Sequence, residues 1–166
     1  PIVDPSLTKP VRNQRDWIVN HFPTTLDRNG DLTSQSIKFI MECIQQRDSN
    51  SIKSPYAPGS DHLFWQCVES TNNRGWVHGG GVALASVIIA WHCDQGLNQL
   101  INDLDRCKVL WRPAQLGLSK NHLQLSLSAA PKFFNDKENG RDMKSILRDN
   151  PILGNRFEKL WDFLTL

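Results

Sequence analysis

The chain has 166 residues and 39% apolar side chains, enough to bury one hydrophobic core, and we predict a single domain over 1–166. A formal net charge of only +2, with basic residues scattered among acidic ones, excludes an electrostatic footprint for nucleic acid. No apolar run approaches the roughly 20 residues that cross a bilayer, and the four cysteines lack metal-site spacing, so we expect no membrane-spanning segment, metal or cofactor.

The N-terminal third is predicted to be helical after an extended arm. Three prolines over 1–10 predict that arm, and a first helix is expected over Arg12 to Phe22, ended by Pro23. A second helix is expected from four apolar residues at helical spacing: Ile37, Ile40, Met41 and Ile44. Ser, Asn, Pro and Gly between Asp48 and Ser60 predict a loop.

The stretch from Trp76 to His92 is the most apolar in the chain. Its core, Val82 to Trp91, shows neither alternation nor a single apolar stripe, which predicts a helix buried on all sides. Three glycines, Gly79 to Gly81, precede this run. We predict that they form a turn at the helix N-terminus, where free backbone N–H groups favour a thiolate or an oxyanion.

Short β-type runs are predicted to follow. They cover Lys108 to Pro113, His122 to Leu127 with clean alternation, and Lys132 to Phe134. Helical segments around Met143 to Arg148 and Phe157 to Phe163 close the chain. Helices, then strands, then helices predict an α+β fold.

Three features in this order fit a thiol hydrolase. Such an enzyme needs a nucleophile at a helix N-terminus, an imidazole to take its proton, and an acid or amide to orient that imidazole. His122 and Asp136 could supply the last two. The segments Gly80 to Ser86 and Phe133 to Gly140, together with His122, resemble the motifs of papain-like cysteine peptidases and of the related glutamine-deamidating toxin and effector domains of bacterial pathogens.

The resemblance implies a papain-like fold, with a buried central helix packed on a small antiparallel sheet. It places Ala83 at the nucleophile position, His122 as general base and Asp136, or Asn135, as the orienting residue. The resemblance also places the oxyanion hole in the turn formed by Gly80, Gly81 and Val82.

The same resemblance implies an activity and its partner. The substrate would be a protein, cut at a peptide bond or deamidated at glutamine, and the domain would act as a secreted effector in a host cytosol. Alanine cannot attack a carbonyl, so the chain as written is expected to be inactive. Either it is a natural inactive relative, or Cys was changed to Ala at position 83, or the motif register is wrong.

Three alternatives stay open. Cys67 is the second candidate for the nucleophile. The segment His78 to Ala83, with Asn72 and Asn73 upstream, is similar to the ribose-phosphate loop of macrodomains, which bind ADP-ribose. The chain could also be a non-catalytic, helical protein-interaction domain.

Overall fold

The fold is helical. The structure, a computed structural model, describes residues 5–49, 60–136 and 145–166, and these contain helices and no β-strand. The α-helices are α1 (Pro5–His21), α2 (Ser34–Ser49), α3 (Ser60–Asn72), α4 (His78–Cys93), α5 (Leu97–Arg106), α6 (Pro113–Leu116), α7 (Lys120–Phe134), α8 (Ile146–Asp149) and α9 (Asn155–Thr165), with a 3-10 turn over Phe22–Thr25. The predicted α+β, papain-like fold is therefore wrong.

The chain forms two compact units. Unit 1 comprises Pro1–Ala57 with Asp105–Lys108, and unit 2 comprises Pro58–Leu104 with Val109–Leu166. The prediction of one domain over 1–166 stays a prediction.

Aromatic packing holds the helices of unit 1 together. The ring of Phe39 on α2 lies 4.7 Å from that of Trp17 on α1 and 6.2 Å from that of Phe22, centroid to centroid. Two hydroxyl groups, on Thr33 and Ser36, donate to the carbonyl oxygen of Thr25 at 2.7 Å each. These bonds fix the start of α2 against the 3-10 turn.

The predicted apolar stripe of α2 exists, but it faces solvent. Ile37, Ile40, Met41 and Ile44 remain 57%, 37%, 60% and 42% exposed. The opposite face of α2 carries Phe39, which is buried. The spacing therefore predicted the helix correctly. Among the described residues, no segment buries this apolar face.

Unit 2 is built around α3, which packs against both α4 and α7. The predicted buried helix is confirmed as α4, where Leu84, Val87 and Ile88 are fully buried. On α3, Phe64 and Trp65 are also fully buried. Burying side chains of this size supplies about 1.5–3 kcal/mol each, and that burial is the main source of stability here.

The glycines of the central stretch lie inside α4, because the helix already begins at His78. Gly81 lies against the indole of Trp65, so that a Cβ there would overlap the ring. A Cβ on Gly80 would come within 2.6 Å of the carbonyl oxygen of Leu110. Close packing explains why positions 80 and 81 lack side chains. The predicted Gly-rich turn before the helix is absent, because these glycines belong to the first turn of α4 itself.

The run predicted as the clearest strand, His122 to Leu127, is the first half of α7. Leu123 and Leu127 are four residues apart, and with Ala130 and Phe134 they form one buried helical face. Leu125, which completed the alternating pattern, is 48% exposed. The alternation therefore arose from one apolar residue on the solvent face of a helix.

Other boundaries also differ from the predictions. α1 begins at Pro5, where an arm over 1–10 was expected; proline is tolerated at the first helical position, and the helix also continues through Pro10. The predicted strand at 108–113 is an irregular segment that leads into α6, and 132–134 is the last turn of α7. Most of the predicted loop at 48–60 lies outside the described residues, and so does the segment 137–144, which contains the end of the Phe133 to Gly140 motif and Met143.

One expectation about bulk character and the state of the cysteines can be checked directly. No helix in the described ranges is long and apolar enough to cross a membrane, as expected. All four cysteines are free thiols.

Candidate functional site

The predicted catalytic residues lie on different parts of the helical framework. Ala83 is the sixth residue of α4 and half-buried at the edge of the core. Inside a helix its backbone N–H, and that of Val82, are committed to hydrogen bonds with the preceding turn. The backbone N–H of Gly81 likewise donates to the carbonyl oxygen of Val77 at 3.0 Å, so the N–H groups of Gly81, Val82 and Ala83 serve the helix. The oxyanion hole at Gly80, Gly81 and Val82 stays a prediction.

His122 and Asp136 lie at opposite ends of α7. His122 is in its first turn, and Asp136 lies two residues beyond its last residue, Phe134. At 1.5 Å per residue, 14 residues separate their backbones by roughly 20 Å. The structure thus does not bring the expected base and its orienting acid together.

The imidazole of His122 has a structural task. Its Nδ1 accepts a hydrogen bond from the backbone N–H of Ser119 at 3.2 Å. The Ser119 hydroxyl in turn accepts from the backbone N–H of His122 at 3.2 Å. This reciprocal pair is a capping box, with histidine in the place of the usual glutamate, and it starts α7.

Cys67, the second candidate nucleophile, is fully buried on α3. Its Sγ lies 3.6 Å from the carbonyl oxygen of Ser126 on α7, within the α3–α7 interface. A thiol in this position packs like a small apolar residue and is closed to a substrate.

An aromatic cluster lies beside the start of α4. Trp76 packs edge-on against Trp65, with ring centroids 5.9 Å apart, and edge-on against His122 at 5.6 Å. The guanidinium carbon of Arg74 lies 5.1 Å from the centroid of the Trp76 ring. This distance allows a cation–π interaction, which holds the arginine against the indole.

A pocket of about 590 Å³ opens next to this cluster, entirely within unit 2. The residues that line it come from the segment before α4, from α4 itself and from the segment around α6: Arg74, Gly75, Trp76, Val77, Gly80, Val109, Leu110, Gln115 and Leu116. Its volume lies within the range of about 300–1,000 Å³ that is typical of ligand sites.

The absence of a Cβ at Gly80 lets α4 approach the far wall of the pocket. That wall includes the side chain of Leu116, which a Cβ on Gly80 would meet at 2.7 Å. The side-chain oxygen of Gln115 accepts from the backbone N–H groups of Trp111 and Arg112 at 3.1 and 3.0 Å. These two bonds hold the wall segment in place before any ligand enters.

The rim of the pocket combines apolar surface with one cation. Val77 is 75% exposed and Leu110 is 57% exposed. Arg74 is also exposed, and no carboxylate among the residues that the structure describes pairs with it. The rim can therefore contact an apolar group and an anion at the same time.

The pocket could not be predicted from a local motif. Its two sides, at 74–80 and 109–116, are about thirty residues apart in the chain. The available signal was the pair of Arg74 and Trp76 just before the apolar run, because arginine and tryptophan are frequent at binding hot spots.

Comparison with known proteins adds no relative. No family model, no curated protein and no solved structure matches the chain.

Proposed function

We propose that unit 2 is a non-catalytic, helical protein-interaction module. The observation that carries the proposal is the open pocket of about 590 Å³, with exposed apolar residues and a stacked arginine at its rim. Its ligand is a short segment of a partner protein that places one bulky apolar side chain in the pocket and an acidic side chain beside Arg74.

The exposed rim favours a protein partner over a small molecule. A small ligand is mostly enclosed by its site. Here Val77 and Leu110 extend the apolar surface outward from the pocket. A peptide that continues past its anchor residue covers this surface, and the fixed Trp76–Arg74 pair supplies the rigid aromatic and cationic contacts that dominate many interfaces.

The thiol-hydrolase and ADP-ribose-binding alternatives have less support. The thiol-hydrolase activity stays a hypothesis, but the papain-like arrangement that motivated it is not the fold of this chain. The ADP-ribose alternative depended on a glycine loop at 78–83, and these residues are helical.

Val77 allows a test that does not endanger the fold. It is the N-cap residue of α4, with φ −64° and ψ 108°, and no side chain caps the helix there. Aspartate and threonine both cap helices well, so Val77→Asp and Val77→Thr are each expected to raise stability by about 0.5–2 kcal/mol. Only aspartate brings a negative charge to the apolar rim.

The experiment is a peptide-display selection on the whole chain, followed by fluorescence-anisotropy titration of the enriched peptides. We expect peptides with a bulky apolar residue next to an acidic one. Val77→Thr should bind them with an affinity within about twofold of that of the unchanged chain. Val77→Asp should bind them at least about tenfold more weakly, which corresponds to a loss of about 1.4 kcal/mol of binding free energy. No enrichment, or equal binding by the two variants, would refute the proposal.

A charge reversal tests the role of Arg74. Arg74→Glu is expected to lower the affinity for the acidic peptide by up to about fivefold, since an exposed ion pair contributes about 0.2–1 kcal/mol. A peptide in which lysine replaces the acidic residue should then bind Arg74→Glu better than it binds the unchanged chain. If both peptides keep the same order of affinity on both proteins, Arg74 does not contact the acidic residue.

A further inference from the structure

Two histidines on neighbouring helices of unit 2 lie side by side. His62 is in the first turn of α3, and His78 is the first residue of α4. Their ring centroids are 5.7 Å apart, with the ring planes inclined by 58°. The side chain of His62 is 44% exposed, and His78 is exposed as well, so both rings can be reached from solvent.

The ring of His62 is held from behind by a carboxylate. Its Nδ1 lies 3.4 Å from Oδ1 of Asp61, close enough for an ion pair but without the geometry of a hydrogen bond. The other oxygen of Asp61, Oδ2, accepts a hydrogen bond from the hydroxyl of Ser86 on α4 at 3.1 Å. The Ser86 hydroxyl therefore ties the carboxylate of α3 to α4.

This arrangement determines which nitrogen of His62 is available. Its Nδ1 is buried, although almost half of the side chain is exposed. The exposed edge of the ring therefore carries Nε2. In metal sites a carboxylate often lies beside the ring nitrogen that does not bind the ion, and Asp61 lies on that side of the His62 ring, which leaves Nε2 open.

The spacing of the two rings fits a shared ion. With a metal–nitrogen distance of about 2.0–2.1 Å, each ring centroid lies about 3.2 Å from the metal. Two imidazoles at a tetrahedral angle then have centroids about 5.2 Å apart. The observed 5.7 Å is slightly longer, and small rotations of two solvent-exposed side chains close the difference.

We propose that His62 and His78 bind one divalent transition-metal ion of the Zn²⁺ class, with Asp61 as the positioning carboxylate. Imidazole nitrogen is a preferred ligand of such ions. Within the described parts of the chain, no group of three or more His, Cys, Asp and Glu side chains forms a metal site. The ion is thus held by two protein nitrogens, and water fills the other positions. None of these residues lines the pocket, so the site is independent of the proposed peptide binding.

The test uses the full chain with its three partly exposed cysteines, Cys43, Cys93 and Cys107, blocked by iodoacetamide, because accessible thiols also bind zinc. Cys67 is fully buried and needs no blocking. Zn²⁺ is titrated by equilibrium dialysis, and the imidazole proton signals of the five histidines are followed by NMR. We expect one bound ion per chain and shifts of the His62 and His78 signals alone. Loss of all binding after thiol blocking, or shifts on other histidines only, would overturn the proposal.

Variants separate ligands from neighbours. His62→Ala and His78→Ala should each reduce the affinity at least about tenfold, and Asp61→Asn by about 10–100-fold, the usual effect of removing an outer carboxylate. His21→Ala, an exposed histidine of α1 whose Nδ1 contacts the carbonyl oxygen of Trp17, is the control and should bind like the unchanged chain. Equal affinity of His62→Ala, His78→Ala and the control would refute the assignment of the ligands.

Discussion

Gly81 of α4 lies directly against the indole ring of Trp65 on α3, with no space for a β-carbon between them. Trp65 is fully buried and also contacts Trp76, the aromatic wall of the pocket. The close approach of α3 and α4 thus connects the core of unit 2 to its candidate binding site.

Gly81→Ala is expected to lower the free energy of unfolding by about 1–3 kcal/mol, because the added methyl group displaces a fully buried tryptophan. Gly79→Ala is the matched control. A Cβ at position 79 meets nothing within 4 Å, and alanine is favoured over glycine in helices by up to about 1 kcal/mol. Urea denaturation should show opposite signs for the two variants, and equal effects would contradict the packing explanation.

The sequence predicted helices where an apolar pattern was long enough to be unambiguous. The run from Val82 to Trp91 was recognised as a buried helix, and Ile37 to Ile44 as an amphipathic one. The prediction failed at His122 to Leu127 because six residues of alternation also contain the i, i+4 pair of a helix. Ser119, whose capping pattern with His122 marks a helix start, was the local signal that was missed.

The candidate site was harder to predict from the sequence than the helices were. The glycines at 79–81 were interpreted through a functional resemblance, whereas Gly80 and Gly81 serve helix packing. The pocket depends on the return of residues 109–116 to the start of α4, and no local pattern encodes that contact. Long-range packing of this kind can be read only from the tertiary structure.

His92 makes the stability of unit 2 depend on pH. It is 6% exposed, and among the residues that the structure describes neither ring nitrogen has a hydrogen-bond partner. Burial lowers the pKa of His92, the charge of Arg156 lowers the pKa further, and the nearby carbonyl oxygens of Asn150 and Ile146 oppose part of the change. The folded state therefore favours the neutral ring.

The sign of the effect follows from the proton balance. In the unfolded chain the histidine binds a proton below about pH 6.5, whereas the folded protein does so only at a lower pH. The contribution of His92 to stability is therefore present above about pH 6.5 and is lost as the pH falls toward its lower folded pKa.

Thermal unfolding between pH 7.5 and pH 5 should show a smaller loss of stability for His92→Leu than for the unchanged chain. The exposed control His21→Ala should keep the full dependence, and an unchanged slope in His92→Leu would contradict this explanation.

Ala83→Cys tests the thiol-enzyme hypothesis directly. Position 83 lies inside α4, away from the helix terminus that would lower the pKa of a thiol. We expect iodoacetamide to modify the new cysteine with the pH dependence of an ordinary thiol, near pH 8.5, and no hydrolysis or deamidation of test proteins. The unchanged chain supplies the background of its four cysteines. Rapid alkylation at acidic pH that disappears in Ala83→Cys combined with His122→Ala would restore the hypothesis.

The most direct test of the interaction module is a ¹H–¹⁵N NMR titration of the chain with a selected peptide, following the indole N–H signals of its six tryptophans. If the pocket is the binding site, the indole signal of Trp76 and the backbone signals of Gly80 and Leu116 shift on peptide addition, while the indole signal of Trp17 in unit 1 stays unchanged. Val77→Asp should strongly reduce these shifts at the same peptide concentration. Shifts confined to unit 1, or a Trp76 signal that does not move while the peptide is bound, would contradict the central claim.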